Sequence, residues 1–119
     1  MSRICQLLGS AQLTDSAAAI VTNPVGYDTC ITNISIHNTH SAALTVTLYL
    51  VPDNASSVGT AGATNQIFLQ SVDAYDTVLL GREDLGWWMN DTNDTLQAVA
   101  GTAAKVNVFV HGVQQTTQA

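Results

Sequence analysis

The stretch CITNISIHNTHSAALTVTLYLV at residues 30–51 decides the fold. Ile34 and Ile36 alternate with Asn33, Ser35 and His37. After Asn38-Thr39-His40-Ser41, the residues Leu44, Val46, Leu48 and Leu50 alternate with Thr45, Thr47 and Tyr49. A side-chain period of two sends one set into a core and the other to the opposite face of a sheet. Two such runs joined by a few turn-forming residues read as a β-hairpin. The same texture extends in both directions along the chain, and no stretch of helical period interrupts it.

Toward the N-terminus, residues 17–22 read as a strand closed by Asn23-Pro24-Val25-Gly26, a turn signal because proline fixes φ and glycine accepts positive φ. Residues 1–13 read as an N-terminal arm or edge strand with an apolar centre at Ile4, Leu7 and Leu8. Toward the C-terminus, Pro52-Asp53-Asn54 stops the second run. Residues 55–64, small and containing Gly59 and Gly62, read as an exposed loop too poor in apolar bulk to pack. Further strands are expected at residues 66–72, 77–80, 85–89, 95–100 and 105–113, the last two as a hairpin, before a polar tail at 114–119. About eight short strands at regular spacing predict one all-β domain over residues 1–119, an antiparallel β-sandwich of jelly-roll type. Its sheets should pack through Ile34, Ile36, Val46, Leu48, Val106 and Val108. No internal repeat points to a propeller or solenoid.

Composition narrows the function. Only 10% of the 119 residues are charged, against about a quarter in an ordinary globular chain. The polar positions are therefore Thr, Ser, Asn and Gln. Such a surface suits contact with other proteins, because little charge must be stripped of water. The net charge is −6, with Arg3, Arg82 and Lys105 as the cations, so a phosphate backbone is repelled and direct nucleic-acid binding is not expected. No apolar run reaches the ~20 residues of a helical membrane span, and the start MSRICQLLGS lacks the pattern of an export signal. Without export, Cys5 and Cys30 are expected to stay unbridged. The Asn-x-Ser/Thr sequons at Asn33, Asn54, Asn90 and Asn93 are what an Asn- and Thr-rich chain produces without selection for glycosylation.

Candidate chemistry is sparse. His37 and His40 form a His-x-x-His pair, but zinc wants three or four converging ligands, and a spacing of three on an extended chain points the two rings to opposite faces. Asp91, Asn93 and Thr95 alternate like the start of a calcium loop, yet the central glycine and the closing bidentate glutamate are missing. There is no Gly-x-Ser-x-Gly elbow, and the single glutamate, Glu83, sits beside Arg82 and Asp84 in a turn, unlike the buried carboxylate pair of a glycosidase. Neither an enzyme nor a bound metal or cofactor is expected. The densest aromatic spot is Trp87-Trp88-Met89. On a strand the two indoles face opposite ways, so one should be core and the other exposed, and an exposed Trp is an ordinary interface anchor. Ile4, Leu7, Leu8, Trp87, Trp88 and Met89 are the candidate interface residues, with the arm expected to pair along the sheet edge of another chain.

Residues 17–38, AAAIVTNPVGYDTCITNISIHN, resemble the strand, Pro-x-Gly turn, strand and Asn-Thr corner of small structural proteins of tailed bacteriophages. Residues 43–52, ALTVTLYLVP, resemble the strand that follows in that family, and residues 94–113, DTLQAVAGTAAKVNVFVHGV, its terminal hairpin. Tyr75-Asp76-Thr77 stands where the family has a Gly-Asp-Thr turn. The likeness runs over about residues 9–115 and carries no catalytic residue with it. It implies a virion component. The first expectation is a capsid decoration (cement) protein on the head surface, a homotrimer whose partner is the major capsid protein, assembled in the host cytoplasm. A tail or head-fibre part is the alternative. From other classes, a carbohydrate-binding module would rest on Trp87 and Trp88, and a cupin-type enzyme on histidines lining one barrel mouth.

Overall fold

The computed structural model describes residues 6–81 and 87–117. They form nine strands: β1 (Gln6–Gln12), β2 (Ala18–Thr22), β3 (Tyr27–Asn38), β4 (Leu44–Val51), β5 (Gln66–Val72), β6 (Thr77–Gly81), β7 (Trp87–Met89), β8 (Thr95–Ala100) and β9 (Val106–Thr116). One sheet has the order β1-β9-β3-β6, with β7 also beside β3, and the other the order β2-β8-β4-β5, every pairing antiparallel. The expected β-sandwich is what forms. The pairs β1:β9, β2:β8, β3:β6 and β4:β5 make one long double ribbon, which winds until β9 meets β3 and β8 meets β4. That winding is the jelly roll.

It corrects two expectations. The runs at residues 30–38 and 44–51 are not a hairpin: β3 lies in one sheet and β4 in the other. Residues 95–100 and 106–116 likewise cross between sheets. Period-two alternation reports which face of a strand is buried and is silent about its partner. In a jelly roll, chain-adjacent strands pack across the core more often than they pair. The hairpin that does form, β4–β5, is closed by the long 52–65 connection, which contains a short 3-10 turn at Ala63–Asn65.

The core lies between the sheets. Ile34, Ile36, Val106, Val108 and Val110 from one side meet Val46, Leu48, Leu96 and Phe68 from the other, nearly all of them fully buried. Each buried aliphatic contributes about 1.5–3 kcal/mol relative to exposure. All six residues expected to join the sheets are among them.

The N-terminal arm is a third correction. Residues 6–12 are not free to add to another chain: they pair with β9 of their own sheet, from Gln6 opposite Gly112 to Gln12 opposite Asn107. The register slips between Leu7 and Gly9, and Leu8 packs against the core. Its Cδ1 lies 2.8 Å from where a Cβ on Gly112 would sit, and that Cβ would also run into the carbonyl oxygen of Cys30. Only glycine lets β9 approach β3 this closely while Leu8 fills the space above.

Two asparagines with no solvent exposure tie the ends of the sandwich. Asn23 donates through Nδ2 to the carbonyls of Tyr27 (2.8 Å) and Asp91 (3.0 Å) and accepts from the Thr29 hydroxyl (2.6 Å), joining the β2–β3 and β7–β8 turns. At the far end of β3, Asn38 donates to the carbonyls of Ala42 (3.0 Å), Val72 (3.0 Å) and Asp73 (3.3 Å), and its Oδ1 accepts from the His40 N–H (2.9 Å). It joins the β3–β4 and β5–β6 turns. Asn alone among small side chains offers two donors and an acceptor without charge. Its place in an Asn-Pro and an Asn-Thr corner follows from that chemistry.

Candidate interaction surface

Charge is distributed unevenly over this fold. Among the described residues, Asp28 is the one Asp, Glu, Lys or Arg inside a strand. Asp15, Asp73, Asp76 and Lys105 sit in turns at the Asn38 end, and Asp53, Asp91 and Asp94 in turns at the Asn23 end. Among the described residues, Asp28 apart, the flanks of the sandwich are neutral and its ends acidic.

On the outer face of the five-stranded sheet, cross-strand registers set out three rows. Leu7, His111, Asn33 and Gly81 form one, Ser10, Phe109, Ser35 and Leu79 the next, and Gln12, Asn107, His37 and Thr77 the third. Leu7 (53% exposed), Phe109 (44%) and Leu79 (75%) stand out from this face among hydroxyl, amide and imidazole groups. His37 Nδ1 is 2.7 Å from the Thr77 hydroxyl, and His40 sits in the following turn. The His-x-x-His pair is thus split between a sheet face and a corner.

The candidate interface residues separate into three groups. Leu7 and Trp88 (38% exposed) are available at the surface. Leu8 and Trp87 are half-buried against the core, and Met89 is fully buried within it. Met89 is therefore a core residue and no anchor: opposite Thr29, it faces inward on the same side of β7 as Trp87. The expected split of the two indoles holds, with Trp88 turned the other way, opposite Cys30. Leu50, Val51, Pro52, Trp88, Met89 and Asp94 line a shallow hollow of about 190 Å³. Ile4 and Cys5 lie outside the described residues, as do Arg82, Glu83 and Asp84. Cys30 is buried.

Of the residues in the calcium-like spacing, Asp91 alone joins the carboxylates that converge. Thr95 is buried, its hydroxyl accepting from Gln97 Nε2 at 3.0 Å, and Asn93 Nδ2 donates to the Ser56 carbonyl at 2.7 Å. Instead Asp53, Asp91 and Asp94 bring one oxygen each to within 4.8 Å of one another. The Asp94 carboxylate is already engaged, accepting from the backbone N–H of Asp53 (2.8 Å) and of Asp91 (3.1 Å). It closes the turn in which it sits. The contribution of Asp53 was hidden from sequence because it comes from a turn 38 residues before Asp91.

No known family model and no curated protein matches this chain. Among solved structures, it is similar to a chain from the work titled "Bacillus endospore appendages form a novel family of disulfide-linked pili". The identity is 13% and the TM-score 0.46, covering 98% of this chain and 87% of that one. It is also similar to a chain of the cyanophage Pam1 capsid asymmetric unit, at 16% identity and TM-score 0.44, covering 93% and 85%. Neither likeness decides a function.

Proposed function

We propose that the chain is a structural subunit of a tailed-phage virion: a capsid decoration protein that binds the outer shell as an oligomer and bridges neighbouring major capsid proteins. The observation that carries this reading is that, among the described residues, every charged side chain but Asp28 lies in a turn at one of the two ends of the sandwich. Flanks made of Thr, Ser, Asn, Gln and isolated Leu, Phe and Trp can be covered by protein with little charge desolvated, while the acidic ends keep the subunit soluble. The sequence resemblance over about residues 9–115 supplies the virion context. The work of such a subunit is mechanical. Each contact of the standard ~1,600 Å² adds area that must be separated before the shell expands, and repetition over the lattice multiplies it.

Quantitative protein analysis of purified particles tests the reading. Copies in fixed stoichiometry with the major capsid protein, lost together with resistance to heat or osmotic shock when the gene is deleted, are expected. A handful of copies per particle would replace decoration with a tail or head-fibre role, and absence from particles would end the virion reading.

A further inference from the structure

The two long sides of the sandwich are finished differently. On one side, the outer strands β1 and β2 abut: a Cβ on Gly9 would lie 2.6 Å from the carbonyl oxygen of Ile20. On the other side, β5 and β6 are the outer strands, joined by the turn at residues 73–76, and among the described residues β5 has β4 as its one paired neighbour. Exposed apolar side chains gather here: Ile67 (36%), Leu69 (54%), Tyr75 (65%) and Leu79 (75%).

An outer strand with free N–H and C=O groups is a template for another strand. Proteins usually block it with Lys, Pro, an inward charge or a bulge. In QIFLQSV there is neither charge nor proline, and residues 54–72 contain no Asp, Glu, Lys or Arg. The single irregularity falls at Ile67, where the register with β4 slips between Leu48–Phe68 and Tyr49–Gln66. The regular run that remains, residues 68–72, is symmetric in length about Gln70. Opposed antiparallel to itself, it places Phe68 across from Val72, Leu69 across from Ser71, and the Gln70 amide across from its own copy. Two amides can donate to and accept from each other. For chains of net charge −6, a charge-free strand is also where two copies meet with least repulsion.

We infer that the free edge of β5 is a self-association site: two copies pair antiparallel through residues 68–72 about a two-fold axis at Gln70, continuing their four-stranded sheets into one of eight. The contact is isologous, each copy giving the same strand, and backbone hydrogen bonds supply its affinity. It does not depend on the virion reading, because it is a property of the isolated chain. A particle copy count leaves it untouched.

Light scattering on the purified full chain should give the mass of two 12.5 kDa chains. Gln70 is exposed, so Gln70→Glu and Gln70→Lys should keep the far-UV spectrum of the parent, with the melting temperature lowered only by the stabilisation that pairing adds. Each puts like charges opposite one another at the axis and should raise the concentration at which the pair separates by about tenfold. An effect of net charge would move the two variants in opposite directions. Mixing them in equal amounts should restore the pair as a heterodimer. Gln70→Cys should give a covalent dimer under mild oxidation, and Val25→Cys, on an exposed turn, should not exceed the parent background. A parent chain with the mass of one or three copies, charge variants that stay paired, a mixture that stays apart, or equal cross-linking from both cysteine positions would overturn the inference.

Discussion

Replacing Asn38 with alanine removes the side chain that holds two connections together at one end of the sandwich. Its amide gives its hydrogens to the carbonyls of Ala42 and Val72, shares with Asp73 at 3.3 Å, and its oxygen takes the His40 N–H. Three well-formed bonds at about 1 kcal/mol each are lost, and removing a side chain with no solvent exposure leaves a cavity at a further cost of about 1 kcal/mol. We expect a loss of about 4 kcal/mol, a large share of the ~5–15 kcal/mol typical of a domain. In urea the midpoint should fall by about 2 M with an unchanged slope, and the melting temperature by roughly 15 °C. Asn54→Ala, in an exposed turn, should stay within about 0.5 kcal/mol of the parent. Asn38→Asp separates hydrogen bonding from shape. A carboxylate has no donor for three carbonyl oxygens, so the folded protein favours the protonated acid and its pKa rises above the unfolded value. The folded state then binds more protons than the unfolded one, and stability falls as pH rises from the unfolded carboxyl pKa through the folded one. The variant should therefore be nearer to the parent at acid pH than at neutral pH. An alanine variant within about 1 kcal/mol of the parent would refute the idea that this buried amide holds the end together.

Four other outcomes can be checked. Leu48→Ala, at a fully buried site between the sheets, should cost about 2–5 kcal/mol in a denaturant titration. Gly112→Ala should prevent cooperative folding or cost more than about 3 kcal/mol, since its Cβ meets the Cys30 carbonyl and Leu8 together. Tyr75 holds φ at 59° in the turn between β5 and β6, a conformation that favours glycine, so Tyr75→Gly should stabilise by up to about 1 kcal/mol, read as a higher melting temperature. Intact-mass measurement with and without reductant should give the same mass, with no loss of two hydrogens to a Cys5–Cys30 bridge.

How far the sequence can be read depends on the range of the interaction. Strand positions and buried faces are local properties, and the alternation of Ile34, Ile36, Val46 and Leu48 was enough to place them in the core. Turn chemistry is local too: Asn23-Pro24-Val25-Gly26 and residues 73–76 fall where expected. Strand partnership is not local. The partners of β3, namely β9, β6 and β7, lie about 40 to 90 residues along the chain, and no residue of β3 names them. Leu8 illustrates the same limit. Read as an arm residue, it is pulled into its own domain by a vacancy above Gly112, a glycine more than a hundred residues away.

The placement of charge joins these two ranges. Aspartate concentrates at turns because its side chain caps local backbone N–H groups, as Asp94 does for Asp91, Asp53 for Ser56 and Asp76 for Thr77. Winding the ribbon into a jelly roll then collects those turns at the two ends and leaves the neutral strands to form the flanks. A chain that follows only the local rule of acid in turns and Thr or Gln in strands arrives at a fold whose sides can be covered by protein and whose ends cannot without cost. On such a surface the edge of β5 carries more weight than it would among charges. Charges there would oppose a second strand at every register, whereas here the register about Gln70 meets only apolar, hydroxyl and amide groups.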